Sequence, residues 1–399
     1  MTKKFQFARR TNWPLGVNPL TTILDQFRAQ ETPIFDLTES NPTRCGFDYP
    51  LELILKPLAD PDNLSYDPSP RGSLRAREAI SQYYREKNLS VLPEQIFLTA
   101  STSEAYGYLF RLLVNQDERV LFPKPSYPLF QFFVDLNDIH LDYYLLKYGL
   151  EGWHIDFSSL QHLDFSNIKA IVLVNPNNPT GSFLRAQELE MLNQICQKHY
   201  ISLISDEVFA DFVLDQQPPL TSLVENQAAL TFVLGGFSKT LALPQMKLSW
   251  IILQGPPGLV KEAMDRLEVI ADTYLSVNAP VQNAAASWLA HKDMMQQPIK
   301  RRLKDNLEFL KKQTDFHAGC RLLKMQGGWY AVLKLPNFIN EEAWAIELLK
   351  ETRVFVHPGY FFDFDEAPYI VLSLLPPQDI FQHGISCILN KLKQDCLKA

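Results

Sequence analysis

The stretch Ala170-Ile171-Val172-Leu173-Val174 runs directly into Asn175-Pro176-Asn177-Asn178-Pro179-Thr180-Gly181. An unbroken apolar run, rich in branched residues and closed by Asn, Pro and Gly, reads as a β-strand buried on both faces and ended by a turn. Two further stretches have the same build. Ile201-Ser202-Leu203-Ile204-Ser205 leads to Asp206-Glu207, and Thr231-Phe232-Val233-Leu234-Gly235-Gly236 leads to Phe237-Ser238-Lys239-Thr240. Helices on both sides of a parallel sheet allow such continuously apolar strands, and in open sheets of this kind ligands bind at the carboxyl ends. Three polar clusters at three strand ends point to one site.

Outward from this centre, apolar spacing predicts helices over 74–86, 103–114, 187–199 and 258–270, and β-rich runs predict strands over 96–99, 119–122, 170–174, 201–205, 231–234 and 248–253. Past Val281 the order changes: a long helical stretch to about 313, a strand-like segment over 322–336, a helix over 341–351, strands near 354–357 and 369–374, and a closing helix from about 380. The fold class is therefore α/β. A large domain over 46–280 carries a mostly parallel mixed sheet covered by helices, and residues 1–45 with 281–399 form a smaller α+β domain. The first 45 residues, with Pro14, Pro19 and Pro33, show little periodicity. No period of 20 to 50 residues repeats, which excludes solenoids and propellers.

The chain has 399 residues, 46% of them hydrophobic, and 38 basic against 45 acidic side chains give a net charge of −7. This is enough chain to bury a large core without metal or disulfide staples. Mild acidity without a concentrated basic patch argues against nucleic-acid or anionic-membrane partners and favours small molecules. Cys45, Cys196, Cys320, Cys387 and Cys396 are scattered and odd in number, so neither a disulfide framework nor a zinc site is expected, and a reducing cytoplasm fits. The basic start MTKKFQFARR has no apolar run behind it, and no apolar segment nears the ~20 residues needed to span a bilayer. The eight histidines form no metal-like pair, and His357, in Val356-His357-Pro358-Gly359, reads as a turn residue. No GxGxxG follows the early strands and no GxSxG appears, leaving nicotinamide chemistry and serine hydrolysis without support.

Taken in order, the Asn-Pro-Thr-Gly, Asp-Glu and Ser-Lys motifs resemble those of the fold type I pyridoxal-phosphate aminotransferases of the aspartate/alanine class. The likeness extends from Leu37-Thr38-Glu39-Ser40-Asn41-Pro42 to the last strands. It implies that Lys239 is the lysine to which the cofactor attaches and which shuttles a proton at Cα, a task for an amine of lowered pKa. It implies that Asp206 pairs with the pyridine nitrogen, making the ring an electron sink, and that Asn178 hydrogen-bonds the phenolic oxygen. Pro179 would follow a cis peptide as in relatives, and Gly181 would end the turn. Ser101, Thr102 and Ser103, where a strand meets a helix, would hold the phosphate with Ser238, because helix starts offer free N–H groups and a positive dipole end. Tyr66 matches a tyrosine that reaches the phosphate of a neighbouring subunit, implying a homodimer with its site at the interface. Tyr127 takes the place of the aromatic that stacks on the ring.

Three positions depart from the family pattern. Phe209 replaces a tyrosine that shares the phenolic-oxygen hydrogen bond, which should raise the proton affinity of the lysine–cofactor linkage. Lys247 replaces a phosphate-clamping arginine, keeping the charge and losing the bidentate fork. Val371, in Tyr369-Ile370-Val371-Leu372-Ser373, replaces the arginine that holds the substrate carboxylate. An unpaired, desolvated carboxylate is costly, so Arg44 and Lys124 are candidate replacements, with Asn41 also on the substrate side. The aromatic run Tyr360 to Phe364 lies where relatives line the substrate pocket. The resemblance predicts an aminotransferase that moves an amino group from a donor to a 2-oxo acid by a ping-pong exchange. A β-eliminating C–S lyase or racemase would share every cofactor motif, and a non-catalytic pyridoxal-phosphate-binding regulator would need an N-terminal DNA-binding domain that 45 residues cannot supply.

Overall fold

The computed structural model describes residues 5–215, 221–315, 319–365 and 368–398. The first four residues of the basic start therefore lie outside the description. Among the described residues the strands, in chain order, are β1 (Phe35–Asp36), β2 (Ile96–Thr99), β3 (Arg119–Lys124), β4 (His140–Gly149), β5 (Gly152–Ile155), β6 (Ile168–Val174), β7 (Ser202–Asp206), β8 (Thr231–Gly236), β9 (Ser249–Gln254), β10 (Arg321–Leu322), β11 (Tyr330–Lys334), β12 (Val354–Phe355), β13 (His357–Pro358) and β14 (Tyr369–Ser373).

Eight of them form one sheet in the order β2-β9-β8-β7-β6-β3-β4-β5. The pairs from β8 through β7, β6 and β3 to β4 are parallel, while β9 is antiparallel to both neighbours and β5 is antiparallel to β4. Alternate residues of the central strands enter different cores. Ile171, Leu203 and Val233 join Trp250 and Trp288 on one face, and Val172, Ile204 and Phe232 join Phe110, Phe122 and Leu267 on the other. Both faces being covered, every position must be apolar, and this is why the sequence runs are continuous.

The smaller part holds an antiparallel sheet, β10-β11-β14-β13, and β1 pairs in parallel with β12. Residues before position 45 also contribute a helix, Pro19–Ala29, whose N-cap Asn18 accepts from the Leu20 N–H and whose Leu20 and Leu24 pack with Trp344 and Leu348. Its two buried leucines are too few to stand out as a period. The region between 123 and 168 carried no expected element, yet it contains the helix Phe130–Leu136 and the β4–β5 hairpin. Most of β4 is only half-buried, so it lacks the apolar signature of its neighbours. The long helical stretch after 281 divides at His291 into Ala279–Ala290 and Lys292–Thr314, the first capped by the Asn278 side chain. The strand-like 322–336 is also two pieces, separated at Gly327 and Gly328.

Candidate active site

The carboxyl ends of β6, β7 and β8 and the start of the helix Thr102–Leu113 surround a cavity of about 210 Å³. Its wall contains Lys239, Asp206, Asn178, Tyr127, Thr102, Ser103 and Ser238, seven of the residues singled out in the sequence. It also contains Ser40, from the Leu37–Pro42 motif, and residues that no motif marked: Tyr106, Phe130, Phe133, Val208 and Tyr330.

Lys239 lies in the short helix Phe237–Thr240 that continues β8. Its Nζ stands 4.5 Å from the Trp329 ring centroid and 5.1 Å from that of Phe209. Phe209 thus does more than omit a hydroxyl: with Trp329, 5.3 Å away, it forms an aromatic floor beneath the amine. Burial lowers the lysine pKa to about 8, against the opposing pull of Asp206. Asp206, at the end of β7, accepts from Tyr106 Oη at 3.2 Å and from the Val208 N–H at 3.2 Å. Desolvation nevertheless raises its pKa to about 6. Glu207 next to it has a separate duty. It accepts from Ser205, Ser222 and the Leu223 N–H, pinning the 221–224 turn to the strand end.

The Asn178–Pro179 peptide is cis, as are Lys124–Pro125 and Asn175–Pro176. Gly181 does more than end the turn. It has φ +69°, and a Cβ there would lie 2.5 Å from the Gly327 carbonyl oxygen. Its own carbonyl accepts from the N–H groups of Gln326 and Gly327, both at 2.9 Å. The Gln326 carbonyl in turn accepts from Leu214 and Asp215, and Gly328 N–H donates to Phe212. The segment 326–328 therefore stitches the Asn178 turn to the loop that begins at Asp206.

Other expected residues are placed differently. Ser101 is the N-cap of the helix, accepting from Glu104 N–H at 3.2 Å, and stands outside the cavity wall. Lys247 is exposed with φ +52°. Tyr66 is 82% exposed and lines a separate cleft of about 300 Å³ with Tyr108 and Gln282. Asn41 caps the turn Pro42–Arg44 by accepting from the Thr43 N–H and hydroxyl, and Arg44 is exposed. Lys124 Nζ pairs with Asp365 at 2.7 Å. Val371 is buried among Trp153, Leu323, Val332 and Phe362. Opposite it in β13 is His357, whose Nδ1 has no partner and whose pKa burial lowers to about 4. The expected turn residue is thus a strand residue in an apolar setting. Of the aromatic run, Tyr360 bonds Asn18 and Glu342 at the surface, Phe362 packs on Val371's cluster, and none enters the cavity wall.

These residues fit pyridoxal phosphate on structural grounds. Asn178 has a buried side-chain Oδ1 without a partner, an amide set in the cavity wall with hydrogen-bonding capacity to spare. The Asp206 carboxyl, raised toward neutrality by burial, gains from a protonated ring nitrogen beside it. Hydroxyls of Thr102 and Ser103 sit at a helix start, where an anion is favoured.

The sequence profile of the family "Aminotransferase class I and II" matches residues 47–374. The chain is similar to the glutamate-pyruvate aminotransferase AlaA of Haemophilus influenzae, with 26% identity over 362 residues that cover 88% of this chain and 89% of that protein. It is similar to the tyrosine aminotransferase of Mus musculus at 24% identity, covering 90% of this chain and 81% of that one. The solved alanine aminotransferase from Pyrococcus furiosus superposes with a TM-score of 0.87 at 21% identity, over 98% of this chain and 100% of that one. With a profile match across most of its length and a cavity that suits the cofactor, the chain belongs to the class I and II aminotransferases and is a pyridoxal-phosphate-dependent enzyme.

Proposed function

We propose that Lys239 carries the proton at Cα, that Asp206 holds the ring nitrogen, and that Asn178 meets the phenolic oxygen, in an exchange between an L-amino acid and a 2-oxo acid. The observation that carries this reading is the shared cavity itself, whose wall holds an amine with a pKa of about 8, a buried carboxyl and an amide whose oxygen has no partner. Pyridoxal phosphate supplies the aldehyde that takes the amino group and the ring that accommodates the electron pair left at Cα. The chain does the rest. Lys239, uncharged for an appreciable fraction of the time near neutral pH, accepts the proton, and the aromatic floor of Phe209 and Trp329 keeps water from its underside. Tyr127 covers the opposite face, and Thr102, Ser103 and Ser238 take the phosphate.

Ser101 and Lys247 support that phosphate site from behind, and Tyr66 of a second copy of this chain completes it, which makes the working unit a homodimer. An exposed Tyr66 in an open cleft supports this. We divide the chain at 45/46 and 280/281, a reading supported by the pairing of β1 with β12. Five free cysteines support a cytoplasmic setting, and among the described residues no helix is long and apolar enough to cross a membrane. Among the described residues Lys239 is the sole cation of the cavity wall. We therefore assign the substrate carboxylate to the hydroxyls of Ser40 and Tyr330, both in the cavity wall, rather than to exposed Arg44 or ion-paired Lys124.

Alanine and glutamate, which appear in the names of relatives, are the donors to try first. Adding them singly to the cofactor-loaded protein without keto acid should convert the visible absorption band to the amine-form band in one stoichiometric turnover. Persistence of the band with ammonia and keto acid accumulating would replace this reading with elimination.

A further inference from the structure

Asp206 and Lys239 serve the two ends of one small ring, yet they stand on different strands, so something must set the distance between them. Five residues beyond Asp206, after two tight-turn bonds from Ala210 to Glu207 and from Phe212 to Phe209, comes Asp211. Its side chain is 5% exposed and lies outside the cavity wall. Asp211 Oδ2 accepts from Tyr83 Oη at 2.8 Å and from Gln296 Nε2 at 2.8 Å, while Oδ1 pairs with Lys87. One of these donors, Gln296, also reaches Thr240, the residue after Lys239. Gln296 Nε2 donates to the Thr240 carbonyl at 2.8 Å.

We infer that Asp211, held by Tyr83 and acting through Gln296, is a positioning residue that fixes the Lys239 backbone relative to Asp206. The chain of bonds is short: the Thr240 carbonyl accepts from Gln296 Nε2, the same Nε2 donates to Asp211, and Tyr83 and Lys87 hold Asp211 in place. A carboxylate is the group that can join two donors through one oxygen and still keep a counter-ion on the other, which a hydroxyl or amide cannot do. Lys87, which also donates to Tyr83 Oη at 2.7 Å, supplies that counter-ion, and Lys300 occupies the Gln296 Oε1 at 2.9 Å. Burying a carboxylate this far from the chemistry is costly unless it is so completely bonded. A purely structural anchor would need neither donor to continue to Thr240. Gln296 does, and Thr240 is 3% exposed.

The inference rests on the role proposed for Lys239. Its test uses the cofactor-loaded enzyme and three variants, Asp211→Asn, Tyr83→Phe and Gln296→Met. Two quantities are read: the pH midpoint of the bound-cofactor absorption band, and the single-turnover rate with L-alanine or L-glutamate per bound cofactor. Misplacement of a reacting group by ~1 Å costs up to about a hundredfold, so Asp211→Asn should slow turnover roughly tenfold or more, change KM less than about threefold, and shift the band midpoint. Tyr83→Phe and Gln296→Met should do the same to a smaller degree. If Asp211→Asn does not fold, these two decide, since each leaves the Asp211–Lys87 pair intact. Variants with a lowered Tm but unaltered midpoint and unaltered turnover per bound cofactor would overturn the inference. Absence of the band in the unaltered protein would instead indict the Lys239 assignment.

Discussion

The two sides of the cavity are built by opposite rules. On the large-sheet side, the strand ends and the turns that follow them are tied down: Asp206 by Tyr106 and Val208, the Thr240 carbonyl by Gln296, and the Gly181 carbonyl by the segment 326–328. On the small-sheet side, Tyr330 is the one member of β11 or β14 in the wall, and behind it Val332, Val371 and Tyr369 pack with Trp153 and Phe362 as an apolar cluster. The first side spends polar groups on holding reacting atoms at fixed places. The second offers shape and two hydroxyls. Reaction type is set by the first and choice of substrate by the second, so changes on the two sides should fail in different ways.

The largest effect belongs to the large-sheet side. Lys239→Ala should lower single-turnover rates roughly a thousandfold or more, beyond the upper range for losing one positioned acid–base group, because attachment of the cofactor is lost as well. Residual turnover within tenfold of the parent would break the comparison at its root. Next comes Val371→Arg, which places a guanidinium in an apolar cluster with Trp153, Leu323, Val332 and Phe362. It should cost about 3–5 kcal/mol in denaturant unfolding and gain no activity. A stable variant that turned over amino acids faster would mean that the apolar wall is a substitute for a clamp rather than a different design.

The pH dependence sharpens the large-sheet side further. Lys239 has its pKa lowered to about 8, so its reactive free amine is the minor form below that pH and the major form above it. Reloading of cofactor-free protein, followed by absorbance, should accelerate about tenfold per pH unit below 8 and level off above it. A rate still climbing toward pH 10 would place the lysine in a more aqueous setting. The smallest effect is expected from removing Arg44 and Lys124 together. Both lie outside the cavity wall, and kcat/KM should stay within about twofold, the loss of the Lys124–Asp365 surface pair costing less than about 1 kcal/mol. A larger loss would mean that one of them reaches the site of another copy.

The chemistry-bearing half of the site was legible because each such residue follows a buried strand, and short-range pattern alone marks a strand end. The parallel core strands were legible for the same reason. Tyr106, Tyr330 and Trp329 were not, since what brings them to Lys239 is packing between residues separated by tens to hundreds of positions. The β4–β5 hairpin escaped because a half-buried strand such as His140–Gly149 carries neither a clean alternation nor a continuous apolar run. Ser101 shows a subtler limit: a motif predicts that a hydroxyl stands near a helix start, but not whether it faces the cavity or caps the helix.

The stitching of residues 326–328 to Gly181 and Phe212 has a consequence for how the enzyme is made. The partners are separated by more than a hundred positions along the chain, so the bonds from Gln326 and Gly327 to the Gly181 carbonyl form only after Gly327 has been synthesised. During translation the large sheet can begin to form, but the aromatic floor under Lys239 is missing until Trp329 clears the ribosome. A chain that ends before that point lacks the Trp329 ring at the Lys239 amine and the bonds that join 326–328 to Gly181 and Phe212.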